Sequence, residues 1–422
     1  YYEGEYNMVT EDAILLFDGA IGTMLQNLGL TSDECPELWN DTHPDLIEKV
    51  HRAYKKSGSI VIQANTFGAN RIKLKKFGLE SRSDELNSKA IYIARNVMGD
   101  NGYVAASIGP TGEMLEPYGS LNFNDMYETF KEQITSVTDA GADLIIIETM
   151  MDLMESRIAL LAAIENSDLP IICSSTFETQ GNTLMGNPPK SVVSTLQSLG
   201  ANSVGANCSG GPLSLLPIIQ QMKTVSKIPL IVQPNAGIPE VIDGNIVYPL
   251  QSEDMAKQMT KLVNAGANII GGCCGTTPMH ISAIKHSLQN LNPKPPIAEP
   301  PELICSPYKF THVENIDNRL LEIEVNHSTE PFDIMDILID CDLLNPVPCI
   351  KFHESMDSIS SIREFISKLQ AIIKEPLAFI IDCTERAEAI LRSYHGRAAV
   401  VLYGNYSKDI YDIINKYGAY II

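Results

Sequence analysis

The stretch Gly271-Gly272-Cys273-Cys274-Gly275-Thr276-Thr277-Pro278 sets two adjacent cysteines between glycines, at the end of the apolar run Ala267-Asn268-Ile269-Ile270. Neighbouring cysteines are poorly placed to join in a disulfide, and a hydrophobic core has no need of vicinal thiols. A third cysteine, Cys208, closes the segment LGANSVGANC at residues 199–208. Taken alone, Cys208 reads as a small buried hydrophobe; beside a vicinal pair it reads as a ligand. Three thiolates suit Zn2+, which prefers soft donors in tetrahedral geometry. The chain has no C-x-x-C pair and no fourth cysteine near these three, so the fourth position is left open for substrate. Three thiolates leave such a centre net negative and a poor source of hydroxide. A substrate thiol entering it would be deprotonated outright, whereas a free thiol with a pKa near ~8.5 is only a few per cent thiolate at neutral pH. The chemistry is alkylation of a thiol.

Bringing these cysteines together requires a scaffold, and a recurring pattern supplies one. SGSIVIQAN (57–65), AGADLIIIET (140–149), LGANSVGANC (199–208) and AGANIIGGCC (265–274) each join a glycine and small residue to an apolar run. A helix ending on a left-handed glycine and followed by a buried parallel strand produces that pattern. The preceding segments have helical periodicity: Ile47, Val50 and Tyr54 share a face, as do Phe130, Ile134 and Val137, and Met255, Met259 and Leu262. Four further apolar runs, ILLFDG (14–19), YVAASIG (103–109), PIICSSTF (170–177) and PLIVQPN (229–235), bring the strands to eight. Alternating α/β units in that number predict a (β/α)8 TIM barrel over residues 8–290, with a doubly wound open sheet as the competing arrangement. In such a barrel the functional groups collect at the C-terminal strand ends. Those ends carry Asp18, Asn65-Thr66, Gly109, Glu148-Thr149, Thr176, Asn207-Cys208, Asn235 and Cys273-Cys274, a mostly polar rim. Glu148 follows the run Leu144-Ile145-Ile146-Ile147, where a carboxylate without a task would be costly to bury. Asn65 reads as a rim hydrogen-bonder, His280 as the start of a helix, and Trp39 as packing for the loop after the first strand.

The net charge of −21 opposes nonspecific attraction to nucleic acid or anionic membranes. No apolar stretch reaches the roughly 20 residues that span a bilayer. The nine cysteines, odd in number and unevenly spread, fit a reducing cytoplasm. The opening YYEGEYN before Met8 lacks the features of a signal peptide and reads as an appended or disordered leader.

FDGAIGTML (17–25), ANTFGANRIKL (64–74), GANCSGGP (205–212), PNAG (234–237) and GGCCGTTPMHI (271–281) together resemble the homocysteine S-methyltransferase family, in order and over residues 14–290. The resemblance is strongest to the homocysteine-binding barrel of the cobalamin-dependent members. It implies that Cys208, Cys273 and Cys274 hold zinc and that Asp18 and Glu148 receive the homocysteine amino group. It also implies that Gly19, Ala20 and Thr66 help seat the carboxylate, and that Asn235 occupies the fourth zinc position until the substrate thiol displaces it. Gly68 stands where betaine-using relatives carry a tyrosine, which tilts the expected donor toward a methylcorrinoid.

LNPKPPIAEPPELICSP (291–307) holds six prolines in seventeen residues and reads as a semi-rigid linker. Beyond it, over 308–422, come LLEIEV (320–325), VPCIKF (347–352), LAFIID (377–382), AAVVLY (398–403) and YGAYII (417–422), again α/β, with Ile359, Ile362, Phe365 and Leu369 striping an intervening helix. Residues 377–422 resemble part of a pterin-binding barrel, but about 115 residues cannot hold eight βα units. Asp382 survives from the pterin-gripping strand ends, while Tyr403-Gly404-Asn405 replaces an expected Asn-Ser pair. The expectation is a shortened module that scaffolds, docks a partner or joins copies into a homo-oligomer. The cobalamin-module signature Asp-x-His-x-x-Gly is missing from the sequence, so methylcobalamin would act in trans on a separate corrinoid protein. The competing expectations are transfer from a small sulfonium such as S-methylmethionine, and a noncatalytic subunit that binds zinc or homocysteine within a methyltransferase complex.

Overall fold

The computed structural model describes residues 14–242, 245–356, 358–404 and 406–422; the opening leader and Asn405 lie outside them. Eight parallel strands form the larger sheet: β1 (Leu15–Leu16), β2 (Val61–Ala64), β3 (Tyr103–Ile108), β4 (Leu144–Met150), β5 (Ile171–Ser175), β6 (Ser203–Cys208), β7 (Leu230–Pro234) and β8 (Ala267–Ile270). Their order is β1-β8-β7-β6-β5-β4-β3-β2. The seam between β1 and β2 is closed by two bonds, Ile60 N–H to Leu16 O at 2.9 Å and Gln63 N–H to a carboxylate oxygen of Asp18 at 3.1 Å. The fold is the expected (β/α)8 barrel.

Period-two alternation decides what fills it. Leu15, Phe17, Val61, Ala105, Leu144, Ile146, Ile172, Ile231 and Ile269 form a buried apolar cluster in the barrel interior. At the next inward positions toward the strand ends stand Gln63, Ser107, Glu148, Ser174, Asn207 and Gln233. Slipping any strand by one residue would turn this polar layer out and its apolar neighbours in, so register and site are set by the same pattern. Outside the strands, the helices Pro44–Ser57, Phe123–Asp139 and Ser252–Ala265 bury the faces the periodicity marks. Each fully buried Ile, Val or Leu there contributes roughly 1.5–3 kcal/mol. Gly58, Gly200 and Gly266 end three helices in the left-handed conformation, as the recurring glycine pattern requires.

Contacts divide the chain into two compact units. One runs through Leu184 and resumes over Ala201–Ala298; the other joins Met185–Gly200 to Glu299–Ile422. The helix Pro189–Leu199, which lies between β5 and β6 in sequence, therefore belongs to the second unit. That unit holds an open parallel sheet of five strands in sequence order: β9 (Leu320–Val325), β10 (Val347–Phe352), β11 (Ala378–Ile380), β12 (Ala399–Val401) and β13 (Tyr420–Ile421). One face packs Val347, Cys349, Ala378, Ile380, Ala399 and Val401 against Ile304 and Ile316. The helix Ile359–Ile372 buries Ile362, Phe365, Ile366 and Leu369. Among the described residues, no helix is long and apolar enough to cross a membrane.

Candidate metal centre and substrate site

Strand β6 ends on Cys208, and both Cys208 and Ser209 take left-handed backbone conformations, with φ of 59° and 63°. Left-handed L-residues cost roughly 1–2 kcal/mol each, so local bonds must hold this turn. Ser209 Oγ accepts from Phe177 N–H at 2.9 Å and donates to Asn207 O at 3.2 Å, while Gly210 N–H reaches Cys208 O at 2.8 Å. The loop after β8 is pinned as firmly. Cys273 N–H donates to Pro234 O (2.8 Å), Cys274 O accepts from Ala236 N–H (2.9 Å), and Gly275 N–H donates to Thr23 Oγ1 (3.1 Å).

The result is a cluster. The Sγ atoms of Cys208, Cys273 and Cys274 all lie within 4.8 Å of one another, with Cys273 and Cys274 4.0 Å apart. Sulfurs around a tetrahedral zinc with bonds of about 2.3 Å stand about 3.8 Å apart, so the spacing suits that ion. Hydrogen bonds from Cys208 and Cys273, together with one from Tyr248, hold the Cys274 thiol well below its ordinary range. Asn235, only 3% exposed, hydrogen-bonds the Cys208 thiol through its side chain, yet its Oδ1 has no hydrogen-bond partner. A buried acceptor left unpaired is unusual, and a cation among the sulfurs would satisfy it. The donor set fits zinc.

Two carboxylates stand on the same rim. Asp18 is 1% exposed; its Oδ2 accepts from Gln63 N–H, and its Oδ1 is buried without a partner. Burial pushes its pKa well above the usual carboxylate range, and the nearby Glu148 adds to the shift. Glu148, 7% exposed, accepts from Gln63 Nε2 (2.5 Å), Ser107 Oγ (2.6 Å) and Asn207 Nδ2 (3.2 Å). Ser174 Oγ and Thr149 N–H in turn fix Asn207 Oδ1, and Gln233 Nε2 donates to Gln63 Oε1. Despite these donors, burial raises the Glu148 pKa to about 7. Among the described residues neither acid has an ion-pair partner, and two buried acids so placed are suited to meet a cation from outside the chain.

Glu148 also sets a pH dependence. A carboxyl whose folded pKa exceeds its unfolded value stabilises the fold fully below the unfolded pKa, and that contribution is lost as pH rises through the folded one. Its pKa moves from 4.5 to about 7. The metal-free, substrate-free protein is therefore expected to lose about 3 kcal/mol through this group between about pH 4.5 and 7.5. Glu155, also raised to about 7 by burial, acts with the same sign. Urea midpoints that decline across this window are the expected result, and a flat profile would contradict the assignment.

The other residues singled out from the sequence fall as follows. Gly19 has no room for a side chain, since a Cβ would lie 2.9 Å from Thr276 Cγ2 and from Thr276 O. Ala20 N–H and the Tyr54 hydroxyl both donate to Thr276 O, at 3.1 and 2.7 Å, joining the β1 end to the cysteine loop. Thr66 is fully buried and its hydroxyl donates to Ser107 O at 2.7 Å, so the side chain braces the rim. Asn65 bonds Pro36 O and Asn40 Oδ1. His280 caps the helix Pro278–Leu288 with Thr277, and Trp39 is buried against His43. Gly68 N–H donates to Glu37 Oε1 at 2.6 Å, and a Cβ on Gly68 would approach that oxygen to 2.7 Å. Residue type and spacing do not single out Gln63, Ser107, Gln233 and Tyr248. The available signal is a glutamine inside each of two buried apolar strands, VIQA and LIVQP.

Comparison with known proteins agrees with this geometry. Residues 15–288 match the homocysteine S-methyltransferase family. The methionine synthase of Mycobacterium tuberculosis (strain ATCC 25618 / H37Rv) is 31% identical over 308 residues, covering 69% of this chain and 26% of that protein. The methionine synthase of Mycobacterium leprae (strain TN) is 30% identical over 297 residues, covering 66% and 24%. The chain thus spans about a quarter of the length of these curated relatives. Among solved structures, the homocysteine methyltransferase MmuM from Escherichia coli in its metallated form superposes with a TM-score of 0.55 at 25% identity, over 65% of this chain and 96% of that one. Its oxidized form gives 0.55 at 26% identity, over 65% of this chain and 95% of that one.

Proposed function

The chain belongs to the homocysteine S-methyltransferase family, and from that premise we propose that it methylates homocysteine to methionine, with a methylcorrinoid on a separate protein as the donor. The observation that carries this reading is the meeting, on one barrel rim, of three sulfurs within 4.8 Å of one another and two buried carboxylates that have no ion-pair partner among the described residues. Zinc held by Cys208, Cys273 and Cys274 would supply the positive charge that keeps a thiol deprotonated at neutral pH. Asp18 and Glu148 receive the substrate ammonium, the polar layer beneath holds Glu148 in place, and the rim around Gly19, Ala20 and Thr66 seats the carboxylate. Anchored at that end, the amino acid directs its sulfur toward the cysteine cluster, where Asn235 yields its place. The homocysteine sulfur then gives an electron pair to the methyl carbon as the bond from carbon to donor breaks, and that pair leaves with the donor. Holding the two reacting groups in line supplies much of the rate advantage.

A bulky, protein-borne donor accords with the surface around the site. Met114, Tyr118, Met151, Leu213, Ile238 and Met279 all follow strand ends and are all exposed, Ile238 to 62% and Met279 to 72%. Apolar residues gathered about a polar, reactive mouth suit contact with a partner more than capture of a small ion. Gly68, whose neighbouring space Glu37 takes, points away from betaine.

The test is methionine formation by the zinc-loaded protein from homocysteine and each of two donors, a methylcobalamin-charged carrier protein and S-methylmethionine. Turnover with the first is expected. Turnover with S-methylmethionine alone would transfer the reaction to a sulfonium donor. Stoichiometric binding of zinc and homocysteine with no turnover from either would make the chain a noncatalytic subunit.

A further inference from the structure

The groups proposed to meet the two ends of the substrate stand on different strands, Glu148 on β4 and Cys208 on β6. Asn207 joins them. It is fully buried, and its carboxamide makes four bonds. Its Nδ2 donates to Glu148 Oε2 at 3.2 Å and to Thr149 Oγ1 at 2.7 Å. Its Oδ1 accepts from Thr149 N–H and from Ser174 Oγ, both at 2.9 Å. A primary amide has two N–H donors and two acceptor lone pairs, so all of its capacity is used. A buried amide satisfied in this way cannot turn without leaving polar groups unpaired, which is costly.

The backbone on both sides is shaped to this link. Along β4 the register against β5 shifts between Ile147 and Met150, and Thr149 inside that irregularity is left-handed at φ 60°. A β-branched residue seldom takes that conformation, and a bulge re-aims the side chains beside it. Here it presents both the N–H and the hydroxyl of Thr149 to one amide, that of Asn207. On β6, Asn207 O accepts from Thr176 Oγ1 and Ser209 Oγ, each at 3.2 Å, and the next residue is Cys208, itself left-handed. Backbone of this kind persists only where its surroundings over-determine it. The acid, the amide and the turn that carries the sulfur are therefore one rigid unit, and the spacing between acid and sulfur is fixed before any ligand arrives.

We propose that Asn207 is a positioning residue that sets the length of amino acid the site accepts. By fixing Glu148 against the Cys208 turn, it lets homocysteine reach from the acid to the cysteine cluster, while cysteine, one methylene shorter, meets only one of the two. The inference rests on the substrate reading above, but its test does not use methionine formation. The full chain, zinc-loaded, is titrated calorimetrically with L-homocysteine and with L-cysteine, and its zinc content is measured after each titration. The parent should favour homocysteine by roughly 100-fold, because the shorter amino acid leaves a buried partner unmet. In Asn207→Ala the acid loses its tie to β6, and that preference should fall about tenfold. Thr149→Gly loosens the same link with less risk to the fold, since glycine takes the left-handed conformation readily while the Oγ1 acceptor is lost. Its preference should fall about threefold, and it decides the matter should Asn207→Ala shed zinc or fail to fold. A residue that only supports the barrel would weaken both amino acids alike and leave their ratio where it was. A parent that does not distinguish the two, or an unchanged ratio in the zinc-loaded variants, overturns the proposal. A ratio that narrows as expected in a protein that makes no methionine from any donor would keep the length selection and remove the methyltransferase reading.

Discussion

Replacing Cys273 with alanine will strip the protein of metal: zinc, expected at about one per chain in the parent, should fall below about a tenth of that, and methionine formation should vanish with it. The size of the effect follows from the donor set. The cluster offers three sulfurs, and Asn235 contributes at most one amide oxygen beside them. Removing a group that merely supports a ligand typically costs 10- to 100-fold in metal affinity, so losing one of three charged ligands should exceed about 100-fold. Little else should change, because the backbone bond of Cys273 to Pro234 survives the substitution and the loop stays pinned through Cys274 O and Gly275 N–H. Cys173→Ala is the control. That cysteine is buried in β5 outside the cluster, its thiol pushed far up by burial, and its removal should leave zinc content intact. Metal analysis after dialysis decides the matter, and full retention in Cys273→Ala would end the ligand assignment.

The cysteine trio was legible in the sequence because it combines two local facts, residue type and position at the end of an apolar run, with one global rule about barrel rims. The eight strands were legible for a similar reason. A glycine that ends a helix just before four or five apolar residues leaves few readings, and Gly58, Gly200 and Gly266 all adopt the conformation this demands. Boundaries were less so. ILLFDG predicts a six-residue strand, but the strand itself is only Leu15–Leu16; beyond it Phe17 N–H still reaches Ile270 O, while on the side of β2 Gln63 N–H bonds the Asp18 carboxylate instead of a backbone carbonyl. The polar layer under the rim escaped notice for a physical reason: periodicity says which face a residue presents, not which partner it meets. Nothing local to Gln63 reveals that Gln233, 170 residues away, will donate to it. The helix Pro189–Leu199 shows the same limit at larger scale, since its amphipathic pattern predicts a helix but not that it clusters with Glu299–Ile422. Tyr248 follows a hairpin with no signal of its own, and only the contact with Gly275 draws attention to it.

Glu148→Gln should separate function from stability in one substitution. The glutamine keeps the shape of the side chain, and its amide oxygen can still accept from Ser107 Oγ and Gln63 Nε2, but it gives up the bond from Asn207 Nδ2 to the other oxygen and the charge that an ammonium group would meet. Losing one member of a buried, hydrogen-bonded charge pair costs about 2–5 kcal/mol, so homocysteine affinity should fall by roughly 30-fold or more, with zinc content unchanged. Stability should move the other way. In the parent without substrate, ionising Glu148 as pH rises through about 7 works against the fold, because burial disfavours the charge. The variant has no such group, so part of the decline in urea midpoint between about pH 4.5 and 7.5 should disappear, leaving it more stable than the parent above neutrality. A residue present only to hold the barrel together would show the opposite, a weaker fold with binding lost in step. Calorimetric titration of the zinc-loaded variant with homocysteine, set beside its urea midpoints, distinguishes the two. An unchanged dissociation constant would remove Glu148 from the ammonium site and leave Asp18 to be tested alone. A weaker constant in a more stable protein would mean that the buried acid is kept at the expense of the empty fold, because the charge it holds there is stabilised only when substrate brings its own.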